Sequence, residues 1–547
     1  MSVSAAPPTR TSTITNSRNT GSSYKWLVAL VIVFGLFASI MDATIVNIAI
    51  PSLQSVFGGS LSSVQWVLTG YTLVQGIATP LTPFLANRLG AKRLYLIGLA
   101  TFTTFSALCG LAWSLPALIF FRLLQGLGGA CLMPISIVLL YSVFPPQERG
   151  MAMGIMGVPL LFAPALGPTM GGYLITYASW QLIFYINVPI GVIGLILGML
   201  LLREVPREAR MRFDLAGFLL VAVGLGTILY GFSQVSTDGW DSTVVLGCLG
   251  VGLVTLLLFV LVELERIDEG RQPLLNLRIF ADRAFTPSII ASSFVTFILF
   301  GGLFMVPLYL QSLRGLSPFQ SGLLLLPQAL ASVVVAVVGG RLTDKFGTVP
   351  IVLPGLLILT YPLWGLAHLT TNTPYNWFQT LLIMRGLEMG LVAQPLMRAS
   401  LVRIPPGPQL NQATALSTVT RFVTSSISTA ILGTYVQNQQ KIHYSHLALQ
   451  VVPGTPQGQF ISTLQALFHK HGMSMFTAHN AAILEVIRLV QQQGYALALQ
   501  DGFVLTLWMV VPALIAVLLL PKELRRPIKY AKKGGADDTE AALHMAG

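Results

Sequence analysis

Asp42 is the residue whose position in this chain most needs a chemical reason. It is the one ionisable side chain in the apolar run that follows Trp26 and continues to Ile50. An unpaired carboxylate at membrane depth costs a few kcal/mol, and burial disfavours its charged form. The position therefore predicts a carboxylate that takes up and releases a proton. The alternative is a buried acid that hydrogen-bonds to Thr44, Asn47 or a neighbouring helix for packing alone.

Three arginines also fall inside apolar runs, where a side chain that is always charged must face a partner or a water-filled cavity. Arg122 is followed by Gln125 one helical turn later. Arg385 and Glu388 share one helical face and can neutralise each other, so we expect a structural pair, with Glu388 as a second proton site as the alternative. Arg421 could meet Glu388 or line a cavity, and the sequence leaves both open.

The composition indicates the environment of these charges. The chain has 547 residues, of which 54% are hydrophobic and only 10% charged, and its mean hydropathy is +0.73. Ordinary soluble domains carry roughly 25% charged residues, so we predict a polytopic membrane protein. The net charge of +12 does not indicate nucleic-acid binding, because the basic residues fall in short segments between apolar runs. The three cysteines show no metal-ligand spacing and are interpreted as packing residues.

The apolar runs predict the topology. A membrane-spanning helix needs roughly 20 mainly apolar residues, and fourteen segments meet this criterion. An even number returns both termini to one side, and placing that side in the cytoplasm puts most Lys and Arg residues in inside segments. We therefore predict an all-α polytopic protein with both termini cytoplasmic. The predicted spans are 26–50, 64–86, 94–112, 117–143, 151–176, 181–202, 214–234, 243–263, 285–311, 319–342, 349–369, 376–401, 411–436 and 502–520.

Two pairs of similar segments predict an internal repeat. Residues 340–347 (GRLTDKFG), after the tenth span, resemble residues 83–90 (PFLANRLG), after the second, and Arg385 with its Gly-rich continuation matches Arg122 at a similar offset. Two such halves around a cavity at the membrane midplane are a transporter architecture. The predicted parts are a disordered cytoplasmic tail (1–25), an N-terminal six-helix half (26–202), two inserted helices with their loops (203–284), a C-terminal six-helix half (285–520) and a cytoplasmic tail (521–547).

The longest predicted outside segment, 437–501, contains five histidines and two amphipathic stretches. We predict a small extracytoplasmic subdomain with a lid or partner-docking role, and a periplasmic adaptor protein is the candidate partner. No metal site is expected, because no tight ligand spacing recurs among the histidines.

Several motifs resemble those of the major facilitator superfamily, and in particular of its fourteen-helix drug:proton antiporter family, which includes the EmrB- and QacA-like efflux pumps. The resemblance covers residues 26–436 and 495–520. It implies the major facilitator fold and a transporter rather than an enzyme. The matching segments are 42–51, 85–93, 122–134, 157–172, 180–189 and 273–277.

The resemblance also implies residue roles. The arginine of the fourth span is linked to proton transfer in this family, which implies the same for Arg122. The alternative is a structural charge that backbone carbonyls satisfy. Segment 157–172 resembles the family's antiporter motif, which favours export. Small residues at four-residue spacing also let another helix approach closely, and prolines bend or soften a helix, so ordinary tight packing is the alternative. The motif residues are Gly157, Pro159, Gly167, Pro168, Gly171 and Gly172.

The loops after the second and tenth spans are expected to form the inner gate. Asn87 stands where the family often has an aspartate, and Ala91 where it often has a basic residue. The attraction between opposite charges that would hold this gate together is therefore expected to be weaker here. Asp344 in the second copy retains the acid and is expected to dominate. The gate residues are Arg88, Gly90, Asp344, Lys345 and Gly347.

Side chains facing the central cavity are expected to determine what is transported. Aromatic and methionine side chains offer contact area without directional demands, which suits a large, apolar and variable substrate. The expected cavity residues are Asn47, Gln125, Trp66, Tyr71, Tyr309, Arg421, Trp364, Phe304 and Met305.

We therefore predict an antiporter in the inner membrane of a bacterium that exports cationic or neutral amphipathic toxic compounds in exchange for protons by alternating access. No phosphate-binding Gly-Lys-Ser/Thr loop is present, so ATP is not expected as the energy source, and no cofactor is expected. One rival is an exporter of a single metabolite, lipid or siderophore on the same scaffold. The other is a structural or regulatory membrane protein that does not transport.

Overall fold

A computed structural model describes residues 22–58, 60–205, 213–451 and 456–526. These residues form α-helices, short 3-10 helices and one π-helical turn, and they contain no strand. The all-α prediction is confirmed. The predicted tail before residue 22 and most of the tail after residue 521 lie outside the described residues.

The described part of the chain up to residue 205 contains nine α-helices. Short 3-10 turns over Val46–Ala49 and Thr79–Leu81 join the first helix to the second and the third to the fourth. Each of these pairs continues one long helical segment. The helices are α1 (Ser22–Ile45), α2 (Ile50–Phe57), α3 (Leu61–Ala78), α4 (Thr82–Leu89), α5 (Ala91–Gly110), α6 (Leu115–Val143), α7 (Arg149–Tyr177), α8 (Leu182–Tyr185) and α9 (Asn187–Leu201).

The described part from residue 213 onward contains ten more α-helices. A π-helical turn over Tyr309–Leu313 extends the third of them. The helices are α10 (Leu215–Asp238), α11 (Thr243–Asp268), α12 (Phe285–Leu308), α13 (Pro318–Phe346), α14 (Val349–Leu366), α15 (Tyr375–Leu401), α16 (Pro408–Gln450), α17 (Pro456–Lys470), α18 (Met475–Trp508) and α19 (Val510–Leu518).

Each of the fourteen predicted spans coincides with a helical segment. Eleven helices in the described residues are long and apolar enough to cross a membrane by length and composition. The other three predicted spans, 64–86, 376–401 and 411–436, are helical but carry more polar side chains. Of these eleven helices, α11 is the least buried inside the protein, as expected for a helix that faces lipid.

The internal repeat is visible where α4 and α13 end. Gly90 and Gly347 follow these helices with φ angles of 93° and 94°, a backbone conformation that side chains with a Cβ rarely adopt. The Gly90 N–H donates to the Ala86 carbonyl, and the Gly347 N–H donates to the Thr343 carbonyl, each in the last turn of its helix. The two copies of the predicted gate segment therefore share one helix-ending geometry.

Helices α7 and α13 lie against each other over most of their length and join the two halves. Gly150 and Gly340 approach each other at one end, and Gly172 and Phe319 meet at the other. The inserted helix α10 also touches both halves. The ring of its Tyr230 stacks on Trp66 of α3 with centroids 5.6 Å apart, and α10 also packs against α16.

The segment predicted as an extracytoplasmic subdomain, 437–501, is helical where the structure describes it. Helix α16 continues to Gln450, α17 follows, and α18 runs on without a break to Trp508. His443 Nε2 and Asp501 Oδ2 lie 2.7 Å apart and join α16 to α18. The segment is thus an extension of two spanning helices with one short helix between them, rather than a loop.

Candidate transport site

Asp42 is fully buried and forms the centre of a polar cluster. Arg122 Nη1 donates to Asp42 Oδ2 at 2.5 Å. Asn187 Nδ2 and Gln125 Nε2 donate to Asp42 Oδ1 at 2.8 and 3.2 Å. Arg122 Nη1 also donates to Gln125 Oε1 at 2.8 Å, which fixes the amide orientation. The carboxylate is therefore held by one cation and two amides.

Arg122 is held from the other side by a carbonyl and two aromatic rings. Its Nε donates to the Val67 carbonyl oxygen at 3.0 Å. Its guanidinium carbon lies 4.1 Å from the centroid of the Tyr71 ring and 5.6 Å from that of Phe184, distances at which a cation is attracted to a ring face. Its Nη2 has no hydrogen-bond partner among the described residues. The guanidinium is thus fully removed from bulk solvent yet not fully satisfied.

The cluster forms because three helices of the first half bring polar residues to one level. Asp42 lies in the last turn of α1, Arg122 lies near the start of α6, and Asn187 is the first residue of α9. Asn187 Nδ2 also lies 3.4 Å from Ser106 Oγ of α5, whose hydroxyl donates to the Phe184 carbonyl. Asn187 was not among the site residues predicted from the sequence, although it lies in the matching segment 180–189. An amide among otherwise apolar residues was the signal available.

The arrangement can respond to one proton. A buried ion pair is stabilised by mutual attraction, and losing one charge leaves the other without compensation, at a cost of about 3–5 kcal/mol. Protonating Asp42 would remove the charge around which Arg122, Gln125 and Asn187 are arranged. The cluster can therefore convert a protonation event into a change in the contacts between α1 and α6.

The second half differs from the first at the equivalent place. Arg385 and Glu388 are both buried in α15. The expected ion pair between them is absent from the described residues, since Arg385 Nη2 instead donates to the Ile298 carbonyl at 2.9 Å. This carbonyl belongs to α12, so Arg385 ties two helices of its own half. Arg385 still interacts electrostatically with Glu388, but no hydrogen bond joins the two side chains in the described residues.

A cavity lies between the two halves, where α6 and α7 face α12, α15 and α16. The empty space along its walls is about 780 Å³ when the solvent open to it is included, so the room enclosed by the protein alone is smaller. The lining is mainly aliphatic, with four methionines, a few hydroxyl and amide side chains, and one charged residue, Arg421. This is the position at which the two-half architecture predicts a central cavity.

Arg421 is the one expected cavity residue that lines this space. Gln125 and Tyr71 belong to the Asp42 cluster instead. Tyr309 is buried and donates its hydroxyl to the Thr370 carbonyl at 2.8 Å. Asn47 is exposed. The other four residues expected in the cavity also lie elsewhere. Trp66 stacks on Tyr230, and Trp364 is 51% exposed. Met305 is buried beside Gly502, and Phe304 is not part of the cavity lining.

The antiporter-motif glycines of α7 lie in two close contacts. A Cβ on Gly167 would fall 2.9 Å from Thr44 Cβ, and one on Gly171 would fall 2.8 Å from Ile45 Cγ1, so both glycines allow α1 to approach. On its other side, a Cβ on Gly172 would fall 2.9 Å from the Phe319 nitrogen of α13.

Two further motif positions complete the α7 surface. Gly157 faces α13 as well, where an added Cβ would fall 2.7 Å from Ala336 Cβ. Pro159 and Pro168 lie inside α7, together with Pro164. Helix α7 therefore touches both the helix that carries Asp42 and the other half of the molecule.

Asp344 is the centre of the predicted inner gate. Its two oxygens accept from the backbone N–H groups of Gly150 and Met151 at 2.9 Å each, at the start of α7. Arg398 Nη2 of α15 lies 3.0 Å from Asp344 Oδ1. One carboxylate thus ties three helices from both halves.

The first-half copy of the gate contributes less charge. Asn411 Nδ2 of α16 donates to Asn87 Oδ1 at 3.1 Å, which is a contact between halves without an ion pair. Arg88 and Lys345 lie near the rings of Phe84 and Phe346, with distances to the ring centroids of 5.9 and 5.2 Å. The two basic gate residues are therefore seen beside apolar rings rather than in the Asp344 cluster.

Comparison with known proteins adds an independent line of evidence. The sequence model described as Major Facilitator Superfamily matches residues 32–429. An uncharacterized MFS-type transporter, YhcA of Bacillus subtilis (strain 168), is 32% identical over 507 residues, which cover 92% of this chain and 94% of the relative. The multidrug export protein EmrB of Escherichia coli (strain K12) is 31% identical over 442 residues, covering 79% and 85%.

A solved structure has the same fold. The crystal structure of a double-Trp mutant of XylE aligns with a TM-score of 0.56 and 15% sequence identity, over 91% of this chain and all of that one. At this identity the likeness extends to the fold alone.

Proposed function

The chain belongs to the major facilitator superfamily, and we propose that it is a proton-coupled antiporter that exports amphipathic compounds across a bacterial cytoplasmic membrane by alternating access. It is a multi-pass membrane transporter, and its family is not one of enzymes. A relative whose name describes multidrug export supports the outward direction. The observation that carries the proposal is the fully buried Asp42–Arg122 pair.

Proton and substrate occupy different places in this mechanism. Asp42 is fully buried in the first half and does not line the central cavity. Coupling then has to pass through helix contacts. Protonation of Asp42 releases Arg122, α1 shifts against the glycines of α7 at Thr44 and Ile45, and α7 changes its contact with α13.

The contacts of Asp344 are the part of the proposed cycle at the cytoplasmic side. They hold the end of α7 that is predicted to face the cytoplasm against α13 and α15. Opening the cavity inward requires this carboxylate to give up two backbone hydrogen bonds and one ion pair, and closing it restores them. The exchange of these contacts is the inner half of the proposed cycle.

The test uses purified protein in liposomes with an imposed pH gradient and a trapped pH-sensitive dye. Ethidium, Nile red and anilinonaphthalene sulfonate serve as amphipathic compounds of different charge. Wild-type protein should couple movement of at least one of them to proton flow, and Asp42→Asn should abolish that coupling. Asp268→Asn is the control, because Asp268 is an exposed carboxylate paired with Arg278, and neither residue lines the cavity.

Full proton-driven transport by Asp42→Asn contradicts the assignment of Asp42. Absence of both dye and proton movement in the wild type favours a protein that does not transport. Movement of a single compound within a wider panel favours the exporter of one metabolite.

A further inference from the structure

The central cavity contains one formal charge, and it is positive. Arg421 of α16 lines it, and an arginine remains protonated in proteins. None of the described residues that line the cavity is acidic. Arg421 is half-buried in this mainly apolar lining, and a charge that is partly removed from water is costly unless it has a partner.

The described residues do not provide that partner. The recorded contact of Arg421 is from Nη1 to the sulfur of Met133, at 3.8 Å, and a thioether is a weak acceptor. The three membrane carboxylates of the two halves are placed elsewhere. Asp42 is bound to Arg122, Asp344 is bound to Arg398, and Glu388 forms no ion pair and does not line the cavity. Arg421 therefore has five N–H donors and no anion.

The rest of the lining suits an apolar body. Met133, Met153, Met156 and Met397 come from three helices, and methionine side chains adapt to irregular shapes. Ser417 and Thr418 lie one turn before Arg421 on α16 and also line the cavity, while their hydroxyls donate to backbone carbonyls of α16. The cavity combines an adaptable apolar wall with one cation.

From this combination we propose that the cavity binds amphipathic organic anions, with Arg421 pairing with a carboxylate or sulfonate group and the methionines contacting the apolar body. The inference rests on the proposed export function and names its substrate class. It replaces the sequence-based expectation of cationic or neutral compounds. A cation entering this cavity meets a like charge at low dielectric and no carboxylate, whereas a carboxylate matches the planar donor arrangement of a guanidinium.

The test measures binding in detergent without a pH gradient, so that its result does not depend on proton coupling. The probes share one fluorescent body and differ in charge: dansylglycine is anionic, dansylglycinamide is neutral and dansylethylenediamine is cationic. Wild-type protein should bind the anion most tightly. Arg421→Gln should weaken dansylglycine binding by about tenfold to a hundredfold, with binding of the neutral amide unchanged. Arg421→Lys should retain part of the preference, and Arg421→Glu should reverse it.

Two results overturn the proposal. One is a wild-type protein that binds dansylglycine no better than the cationic probe. The other is an Arg421→Gln protein that keeps its affinity for dansylglycine or loses affinity for all three probes equally, since the latter indicates a structural role for the arginine. Failure of the export proposal is distinguishable, because it would show as absent proton flow in liposomes while binding in detergent is retained.

Discussion

The Asp42–Arg122 ion pair is more sensitive to the loss of one partner than to the loss of both. Removing one leaves a buried charge uncompensated, at about 3–5 kcal/mol, whereas replacing both with neutral groups is often close to neutral. Both side chains are completely buried here. Stability and coupling can therefore be separated by experiment.

We expect Asp42→Asn to lower the stability of the detergent-solubilised protein by about 3–5 kcal/mol, because Arg122 keeps its charge. The double variant Asp42→Asn with Arg122→Gln should recover most of the thermal midpoint without recovering proton-driven transport. Thermal unfolding and liposome transport measure the two effects. A double variant as unstable as the single one, or one with restored coupling, contradicts the interpretation.

The sequence could identify these two residues singly but not as a pair. Each is a charge in an apolar run, and such charges are rarely without function. Their contact joins positions 42 and 122, and Asn187 joins from still farther along the chain. Such contacts follow from how α1, α6 and α9 pack, and no local pattern records that packing. Arg385 and Glu388 show the converse, because favourable spacing on one helix did not bring the two side chains into a hydrogen-bonded pair, and Arg385 donates to a carbonyl of α12 instead.

The glycines of α7 act through the closeness they permit between helices. Those that face α1 and those that face α13 lie within one helix. A side chain added on either face would force the helices apart, and overpacking of this kind costs typically 1–3 kcal/mol.

We expect Gly171→Val to reduce transport strongly while leaving the protein inserted in the membrane, because its side chain would collide with Ile45 of α1. Gly247→Val is the matched control, since Gly247 lies in helix α11 and an added Cβ there would meet nothing within 4 Å. Transport rates normalised to the amount of folded protein measure the effect. Equal transport rates for the two variants would show that the contact between α1 and α7 does not take part in coupling.

Helix positions were predictable, whereas helix faces were not. All fourteen predicted spans coincide with helical segments, because length and hydropathy are properties of the local sequence. A span between protein and lipid is apolar all round, so periodicity does not mark its inward side. Trp66 and Tyr309 were therefore expected in the cavity but pack elsewhere. The sequence left two places open for Arg421, and the structure has it in the cavity lining, because a charge, unlike an aromatic ring, can scarcely face lipid.

The two halves meet along α7 and α13, so transport by alternating access requires this contact to open at one end at a time. At the end predicted to face outward, a Cβ on Gly172 would lie 3.4 Å from Phe319 Cβ. This is close to the distance between the two Cβ atoms of a disulfide, about 3.5–4.5 Å. The ends can therefore be linked covalently in this state.

We expect the paired substitutions Gly172→Cys and Phe319→Cys, in a Cys248→Ser background, to form a disulfide on oxidation and to stop transport. Reduction should restore transport to the level of the Gly172→Cys single variant, whose added Cβ lies 2.9 Å from the Phe319 nitrogen and is expected to slow transport by itself. Cys109 and Cys131 can remain because both are buried. Each single substitution under the same oxidant is the further control. Full transport by the crosslinked protein would show that this interface does not open during the cycle.

The single positive charge of Arg421 in the cavity also bears on the membrane voltage. One proton entering in exchange for one organic cation leaving moves no net charge, but one proton entering in exchange for one organic anion leaving moves two. Each elementary charge gains about 2.3 kcal/mol per 100 mV of potential, so anion export gains about 4.6 kcal/mol per 100 mV from a negative cell interior. Such an exchanger keeps running when the external medium is alkaline and the pH gradient has collapsed.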